Sequence, residues 1–233
     1  MSTHKKKRIG ILGGISHEST IHYYKLIIKK YYERFHDYYY PEIVIFSLDF
    51  QQFTDYEDKK TMEEYLQYIM EGIHSLEKAG VDFILMAANS PHAVFPQVEE
   101  GCRVPLLSIV RATAEKAVKD GRKSLLLLGI AFTMQSTFYQ ETCADYGIEV
   151  ITPTEAEQHL INRIIFDELV IGVFSQESKQ KLLDIISGYK VDGVILGCTE
   201  LPLLLTQKDS HIPLYNTLEL HAEAALNHAL SEK

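Results

Sequence analysis

Short runs of aliphatic and β-branched residues alternate with longer amphipathic segments along the chain. Eight of these runs are bounded by glycine, proline or asparagine and are predicted to be strands: Arg8–Leu12, Ile43–Leu48, Phe83–Ala87, Pro105–Ile109, Ser124–Gly129, Glu149–Thr152, Gly193–Gly197 and Ile212–Tyr215. They are continuously apolar instead of alternating, which is typical of strands that are buried on both faces of a sheet.

The segments between these runs repeat apolar residues at helical spacing. The predicted helices are Ser19–His36, Thr61–Ala79, Ala112–Asp120, Thr137–Tyr146, Thr154–Ile171, Gln176–Gly188 and Leu218–Leu230. Strands that alternate with helices favour parallel sheets covered by helices on both faces. The chain is therefore predicted to be an α/β protein.

The two halves of the pattern correspond to each other. RIGILGG matches SLLLLGI, IVIFSL matches EVIT, and FILMAAN matches GVILGCT. The spacing from Gly13 to Asn89 is 76 positions and that from Gly129 to Thr199 is 70, which indicates a duplicated domain, since solenoid repeats are shorter. We predict one half from residues 1–112 and 214–233, and the other from 113–213. Ligands of open α/β sheets bind at the carboxyl ends of the strands, so we expect the site in a cleft where the third strands of the two halves end.

Composition narrows the class of partner. The chain has 233 residues, enough for two domains of about 100 residues each. Its net charge of −9 does not suit a nucleic-acid surface, and its apolar runs are shorter than a membrane span. Its three cysteines do not form a disulfide framework, and the N-terminus shows no apolar signal core. We therefore expect a cytoplasmic protein with neither a nucleic-acid nor a membrane partner.

Two motifs near the N-terminus resemble well-known sites without matching them. GILGGIS lacks both the G-x-G-x-x-G spacing and the lysine of a P-loop, so dinucleotide binding is disfavoured. We expect its backbone N–H groups to approach a small anion instead. HESTIH is one residue longer than H-E-x-x-H, and its histidines point about 140° apart on a helix. No metal site is expected.

The candidate catalytic positions lie at the ends of two predicted strands. Cys198 follows VILG and precedes a predicted helix start, a location that lowers the pKa of a thiol from its ordinary value of ~8.5. The corresponding residue of the first half is Ala88. A buried strand-end cysteine without chemistry is the alternative, and the repeat disfavours it. Cys102 and Cys143 are interpreted as packing residues.

Four segments together resemble a known family: GILGGISHEST, AANSPH, GIAFTMQSTFY and GVILGCTELPLLL. They are similar to the aspartate/glutamate racemase superfamily, specifically its aspartate racemase branch, from Ile9 to Leu230. The resemblance implies two flavodoxin-like domains with parallel sheets, related by a pseudo-twofold axis, and an active site in the interdomain cleft. It also implies an isomerase that acts on a small amino acid without PLP, metal or other cofactor, commonly as a homodimer.

The resemblance also implies roles for individual residues. Two groups that carry protons would act on opposite faces of the substrate α-carbon, at the positions of Cys198 and Ala88. The substrate carboxylate would be held by Asn89, Ser90 and Thr199. Thr133 and the backbone around Ile15 would add further contacts.

Ala88 departs from this pattern, because a methyl group cannot carry a proton. Four explanations are open. Ala88 is an engineered replacement of cysteine, or another donor such as Ser90, His92 or a held water acts instead. Alternatively, the chain is a one-thiol enzyme like the arylmalonate decarboxylases, which release CO2 and need a single proton donor, or it is an amino-acid-binding protein without turnover.

Overall fold

The computed structural model describes residues 6–59 and 61–232, and this part of the chain contains two parallel four-stranded sheets. The first has the order β2-β1-β3-β4, from β1 (Ile9–Gly13), β2 (Ile43–Ser47), β3 (Phe83–Met86) and β4 (Leu106–Leu107). The second has the order β6-β5-β7-β8, from β5 (Ser124–Leu128), β6 (Glu149–Ile151), β7 (Gly193–Leu196) and β8 (Leu214–Asn216). Each of the eight predicted strands is confirmed, and so is the correspondence between the halves.

Helices connect the strands. Their bounds are α1 (His17–Phe35), α2 (Phe50–Lys59), α3 (Met62–Lys78), α4 (Phe95–Gly101), α5 (Ile109–Lys119), α6 (Ala131–Gln135), α7 (Phe138–Ala144), α8 (Glu155–Arg163), α9 (Gln176–Ser187), α10 (Leu201–Leu204) and α11 (Thr217–Leu230). The sequence did not predict α2, α4, α6 or α10. Within the described residues, no helix has the length and apolar character needed to cross a membrane.

The prediction of one continuous helix over Thr154–Ile171 is wrong. After α8 the backbone forms a π turn, Ile164–Glu168, and then a 3₁₀ turn, Leu169–Ile171. The amide of Leu169 donates to the carbonyl of Ile164, which adds one residue to the helical turn. Ile164, Ile165 and Leu169 of this segment are all buried.

The central strands are buried, as their apolar sequences predict. Every residue of β1 is buried between its neighbours β2 and β3, and β7 is buried along its whole length in the second sheet. Burial on both faces explains why these strands are apolar at successive positions.

The chain divides into two compact units. One comprises the chain up to Ile109 together with the stretch from His221 on, and the other is Val110–Leu220. β8 lies in the second unit because it pairs with β7 along its whole length. The first unit is thus discontinuous in sequence, since residues of α11 return to it.

Candidate active site

In the first unit, the ends of β1 and β3 are held side by side. The amide of Ala87 donates to the carbonyl of Leu12 over 2.8 Å, and the Ser19 hydroxyl donates to the carbonyl of Ala87 over 2.6 Å. Ala88 comes next and is buried, with 7% of its surface exposed. The predicted position of the second proton carrier is therefore a well-fixed strand end that bears a methyl group.

Asn89 and Ser90 follow Ala88 at the start of a short 3₁₀ helix, Ser90–Val94, and both are buried. The Ser90 hydroxyl forms a hydrogen bond with the phenol of Tyr65, a contact that partly offsets the rise in the Tyr65 pKa caused by burial. Ser90, one of the predicted carboxylate ligands, is thus already bonded within its own unit.

His92 anchors the same turn. The amide of Ile109 donates to Nε2 of His92 over 3.1 Å, so that nitrogen is the acceptor. Nδ1 lies 3.2 Å from the carbonyl of Asn89, to which it donates in the matching tautomer. Both ring nitrogens are therefore engaged with the backbone, which disfavours His92 as the substitute proton donor.

The glycine-rich turn after β1 places Ile15. Gly14 has φ +86°, and a Cβ there would lie 2.3 Å from the carbonyl oxygen of Leu48. The amide of Gly14 donates to the Thr20 hydroxyl over 2.9 Å. Ser16 caps α1 by accepting from the amide of Ser19. One of the N–H groups expected to approach an anion is thus bonded inside the turn.

In the second unit, the corresponding strand end carries Cys198. The amide of Gly197 donates to the carbonyl of Leu128 over 2.7 Å, which joins the ends of β7 and β5. A Cβ at Gly197 would lie 2.9 Å from that same carbonyl oxygen and 2.8 Å from Cδ1 of Leu127. The glycine allows the close approach that places Cys198 beside the end of the central strand.

The Cys198 thiol faces a carboxylate. Its Sγ donates to Oε2 of Glu200 over 3.0 Å, and the hydroxyl of Thr199 donates to the same oxygen over 2.8 Å. Cys198 and Glu200 are each 9% exposed. The sequence reasoning missed Glu200, although the GCTE segment places a carboxylate two residues after the thiol.

The predicted direction of the Cys198 pKa is wrong. Burial, followed by the charge and hydrogen bond of Glu200, raises the pKa of this thiol well above its ordinary value. Backbone N–H groups of Glu200 and Leu201 act in the opposite direction but are outweighed. The helix that follows, α10, has only four residues, so it offers little dipole to stabilise a thiolate.

Thr133 lies on α6, after the end of β5, and is fully buried. Its Oγ1 has no hydrogen-bond partner among the described residues. Its methyl carbon, Cγ2, would be 3.3 Å from a Cβ at Gly129 and 3.7 Å from one at Gly197, so the side chain packs close to both strand ends. A buried hydroxyl without a partner costs about 1–3 kcal/mol, which a ligand oxygen could recover.

The structure thus forms two clusters, one in each unit. Ile15, Ala88, Asn89 and Ser90 lie at strand ends of the first sheet. Thr133, Cys198 and Thr199 lie at strand ends of the second, with Glu200. In the part of the chain that the structure describes, no group of three or more His, Cys, Asp or Glu residues is arranged to hold a metal ion.

Comparisons with known proteins show which family the chain resembles. The family model for Asp/Glu/Hydantoin racemase matches residues 12–225. The broad specificity amino-acid racemase of Bacillus subtilis is 30% identical over 224 residues, covering 94% of this chain and 96% of that protein. The crystal structure of an aspartate racemase homologue from Pyrococcus horikoshii is 38% identical, with a TM-score of 0.86, covering 97% of this chain and 100% of its own. The aspartate racemase of Picrophilus torridus is 25% identical, with a TM-score of 0.74, over 96% and 94% of the two chains.

Proposed function

Because the chain belongs to the Asp/Glu/hydantoin racemase family, we propose that it uses the Cys198 thiol to move the α-proton of a small amino acid, such as aspartate or glutamate. The observation that carries the proposal is the position of Cys198 at the end of β7, with its Sγ in a hydrogen bond to Glu200. A thiol can remove a proton from carbon once it is a thiolate, and it can return one as a thiol. The proposed reaction requires no PLP.

The α-proton of an amino acid is a weak acid, so its removal needs stabilisation of the charge that develops on the carboxylate. We assign this role to Asn89 and Thr133, with Ser90, Thr199 and the Ile15 backbone as further contacts, since the Thr199 hydroxyl already donates to Glu200. Thr133 is favoured in particular because its buried Oγ1 has no hydrogen-bond partner among the described residues. Oriented neutral donors of this kind stabilise negative charge better than water does, since they need no reorganisation.

Racemisation requires a proton to leave one face of the α-carbon and another to arrive at the opposite face. Ala88 cannot supply that second proton, and the side chains of Ser90 and His92 are both hydrogen-bonded to protein groups. We therefore expect the chain to exchange the α-proton of one enantiomer with solvent much faster than it converts that enantiomer into the other.

The test is α-proton exchange in D2O, followed by NMR on L- and D-amino acids, with chiral chromatography to measure racemisation. Four proteins are compared: the unsubstituted chain, Cys198→Ser, Ala88→Cys and Cys102→Ser. Cys102, a partly buried cysteine in the first unit, provides the matched control. We expect exchange to fall at least ~100-fold in Cys198→Ser, in line with the loss of a general base, and to persist in Cys102→Ser. Ala88→Cys should add racemisation to exchange.

Two results would contradict the proposal. One is exchange that persists in Cys198→Ser at the rate of the unsubstituted chain, which would assign the chemistry to another group. The other is the absence of exchange in every protein, Ala88→Cys included. If amino acids nevertheless bind, as measured by calorimetry, the chain is a binding protein that has kept the racemase fold.

A second candidate function is favoured by Ala88 itself. A buried methyl group at this strand end suits a reaction with one proton donor, such as the decarboxylation of a disubstituted malonate. Loss of CO2 leaves the electron pair on the α-carbon, and the Cys198 thiol would protonate it. Release of CO2 from an arylmalonate, abolished in Cys198→Ser, would select this function. Exchange of amino-acid α-protons without CO2 release would select the racemase-type reaction.

A further inference from the structure

We propose that His92 is a positioning residue that holds Asn89 in the orientation in which it binds the substrate carboxylate. This role rests on the proposed function and extends it to a buried side chain that acts through Asn89 and not on the substrate itself. His92 is the third residue of the 3₁₀ turn Ser90–Val94, which Asn89 precedes. A series of contacts leads from Asn89 through the imidazole to the backbone at the end of β4.

The carbonyl of Asn89 receives two donors from the same residue. The amide of His92 donates to it over 3.0 Å, and Nδ1 of the imidazole lies 3.2 Å from it. Together these bonds fix the peptide plane that follows Asn89, whose ψ is −47°. The backbone from which the Asn89 side chain projects is therefore held in part by the imidazole of His92.

The side chain of Asn89 does not hold this turn. Asparagine is one of the preferred N-cap residues, but it caps from an extended backbone, whereas Asn89 has a right-handed helical one and makes no capping hydrogen bond. Ser16, at the start of α1, shows the ordinary arrangement, because its side chain accepts from the amide of Ser19. The turn after β3 is thus held by His92, which agrees with a ligand role for the Asn89 side chain.

The imidazole of His92 is itself fixed at its far side. Nε2 accepts from the amide of Ile109 over 3.1 Å, and the ring stacks on Phe95 with centroids 5.2 Å apart and planes 7° from parallel. His92 and Ile109 are both buried. Rotation of the ring would remove the acceptor of a buried amide, which is costly. The ring therefore ties Asn89 to the first residue of α5.

The backbone next to Ile109 is held by a second buried histidine. The carbonyl of Leu107 accepts from Nε2 of His221 over 3.1 Å, and Nδ1 of His221 lies 2.9 Å from the hydroxyl of Tyr23. His221 and Tyr23 are both fully buried. The end of β4, to which His92 ties Asn89, is thus a fixed part of the first unit.

Two substitutions separate the two bonds of the imidazole. The amide group of asparagine reaches the place of Nδ1, so His92→Asn keeps a donor for the carbonyl of Asn89. The amide group of glutamine reaches the place of Nε2, so His92→Gln keeps an acceptor for the amide of Ile109. The measurements are calorimetric titration with amino acids, in proteins that also carry Cys198→Ser to prevent turnover, and urea denaturation.

We expect the two variants to differ in opposite ways. His92→Gln should bind amino acids at least ~tenfold more weakly, in line with the loss of one hydrogen bond to a charged group, and should keep the higher urea midpoint of the two variants. His92→Asn should bind within about threefold of the parent protein and should have the lower urea midpoint. A purely structural role would make the less stable variant the weaker binder.

A double-mutant cycle tests whether His92 acts through Asn89. In a protein that carries Asn89→Ala, His92→Gln should not weaken binding further, because the side chain that it misplaces is absent. With Cys198 present, His92→Gln should also raise the half-saturating amino-acid concentration for α-proton exchange by at least ~tenfold. His74→Gln, at an exposed histidine of α3, is the matched control and should change none of these quantities.

Every outcome is decisive. Weaker binding in His92→Gln that disappears in the Asn89→Ala background supports the role of His92. Equal affinities of His92→Gln and His92→Asn, equal losses in both backgrounds, or a His92→Gln chain that does not fold would overturn it while leaving the role of Cys198 intact. If amino acids bind but no protein exchanges the α-proton, the proposed chemistry fails and the affinities still decide the role of His92. If the parent protein binds no amino acid, both proposals fail.

Discussion

At the scale of single residues, the hydroxyl of Thr133 is expected to favour ligand binding and to lower stability. Its buried hydroxyl has no hydrogen-bond partner in the described part of the chain, whereas the equally buried Thr217 donates to the carbonyl of Leu196 over 2.9 Å. Valine has the same shape as threonine without the hydroxyl. The two positions therefore form a matched pair, in which the same change should have opposite effects on folding.

We expect Thr133→Val to raise the free energy of unfolding by about 1 kcal/mol and to weaken substrate binding by about tenfold. Thr217→Val should lower the free energy of unfolding by about 1–2 kcal/mol, because the Leu196 carbonyl loses its donor. Urea denaturation measures the first quantity and calorimetric titration the second. Destabilisation of similar size in both variants would show that the Thr133 hydroxyl is satisfied in the folded protein.

A second residue-scale feature is His221, a fully buried histidine of the first unit. The carbonyl of Leu107 accepts from Nε2 of His221 over 3.1 Å, which makes Nδ1 the acceptor for the Tyr23 hydroxyl at 2.9 Å. Burial lowers the pKa of His221 to about 4, and the bond to Leu107 offsets only part of that effect. The ring is therefore neutral in the folded protein at neutral pH.

This histidine predicts a loss of stability in mild acid. Between about pH 6.5 and pH 4 the unfolded chain binds a proton at His221 that the folded chain does not. The contribution of neutral His221 to the free energy of unfolding is therefore complete above pH 6.5 and declines as the pH falls toward 4. The slope is about 1.4 kcal/mol per pH unit. Urea denaturation at pH 6.5 and pH 5 should show that the free energy of unfolding depends less on pH in His221→Gln than in the unsubstituted chain. The exposed His211→Gln serves as control, and parallel slopes for His221→Gln and the unsubstituted chain would contradict the assignment.

At the scale of elements, the strands were predictable and the short helices were not. A strand buried on both faces must be apolar at every position, and β3 and β7 show that signal clearly. α6 and α10 have five and four residues, too few for a helical period to be visible. α2 is mostly polar and contributes mainly Phe53, whose ring packs 5.2 Å from that of Tyr65.

The candidate site was predictable to a similar extent. The repeat alone placed Cys198 and Ala88 at equivalent strand ends, because parallel sheets of the same order end their central strands in the same way. The environment of the thiol was not predictable. It depends on the rotamer of Glu200, which turns the carboxylate back toward Cys198, and spacing along the sequence does not determine a rotamer.

The close approach of β5 and β7 predicts a strong effect at Gly197. An alanine Cβ there would meet the backbone carbonyl of Leu128 at 2.9 Å, so the strand ends must move apart. We expect Gly197→Ala to lower the free energy of unfolding by about 1–3 kcal/mol and to reduce α-proton exchange by displacing Cys198. Gly188→Ala, at an ordinary right-handed position that ends α9, is the control for urea denaturation. Equal stabilities would show that β5 and β7 accommodate the methyl group.

At the scale of the whole molecule, the division into two units predicts local unfolding. Leu226 of α11 is fully buried in the first unit, and Leu182 of α9 is fully buried in the second. Either leucine changed to alanine should cost about 2–5 kcal/mol. Hydrogen exchange followed by mass spectrometry should show faster exchange mainly in β1–β4 for Leu226→Ala, and mainly in β5–β8 for Leu182→Ala. Equal acceleration in both sheets would show that the chain unfolds as one cooperative unit.

The return of α11 to the first unit also bears on how the protein is made. Ribosomes add roughly 5–20 residues per second, so synthesis of Val110–Leu220 delays His221 by roughly 6–22 s. During that interval the nascent chain lacks Ala222, Ala225 and Leu226, which are fully buried in the finished protein. The second unit is therefore synthesised completely before the first unit is. Folding should run against the direction of translation, and the first sheet should be the part of the nascent chain that chaperones bind.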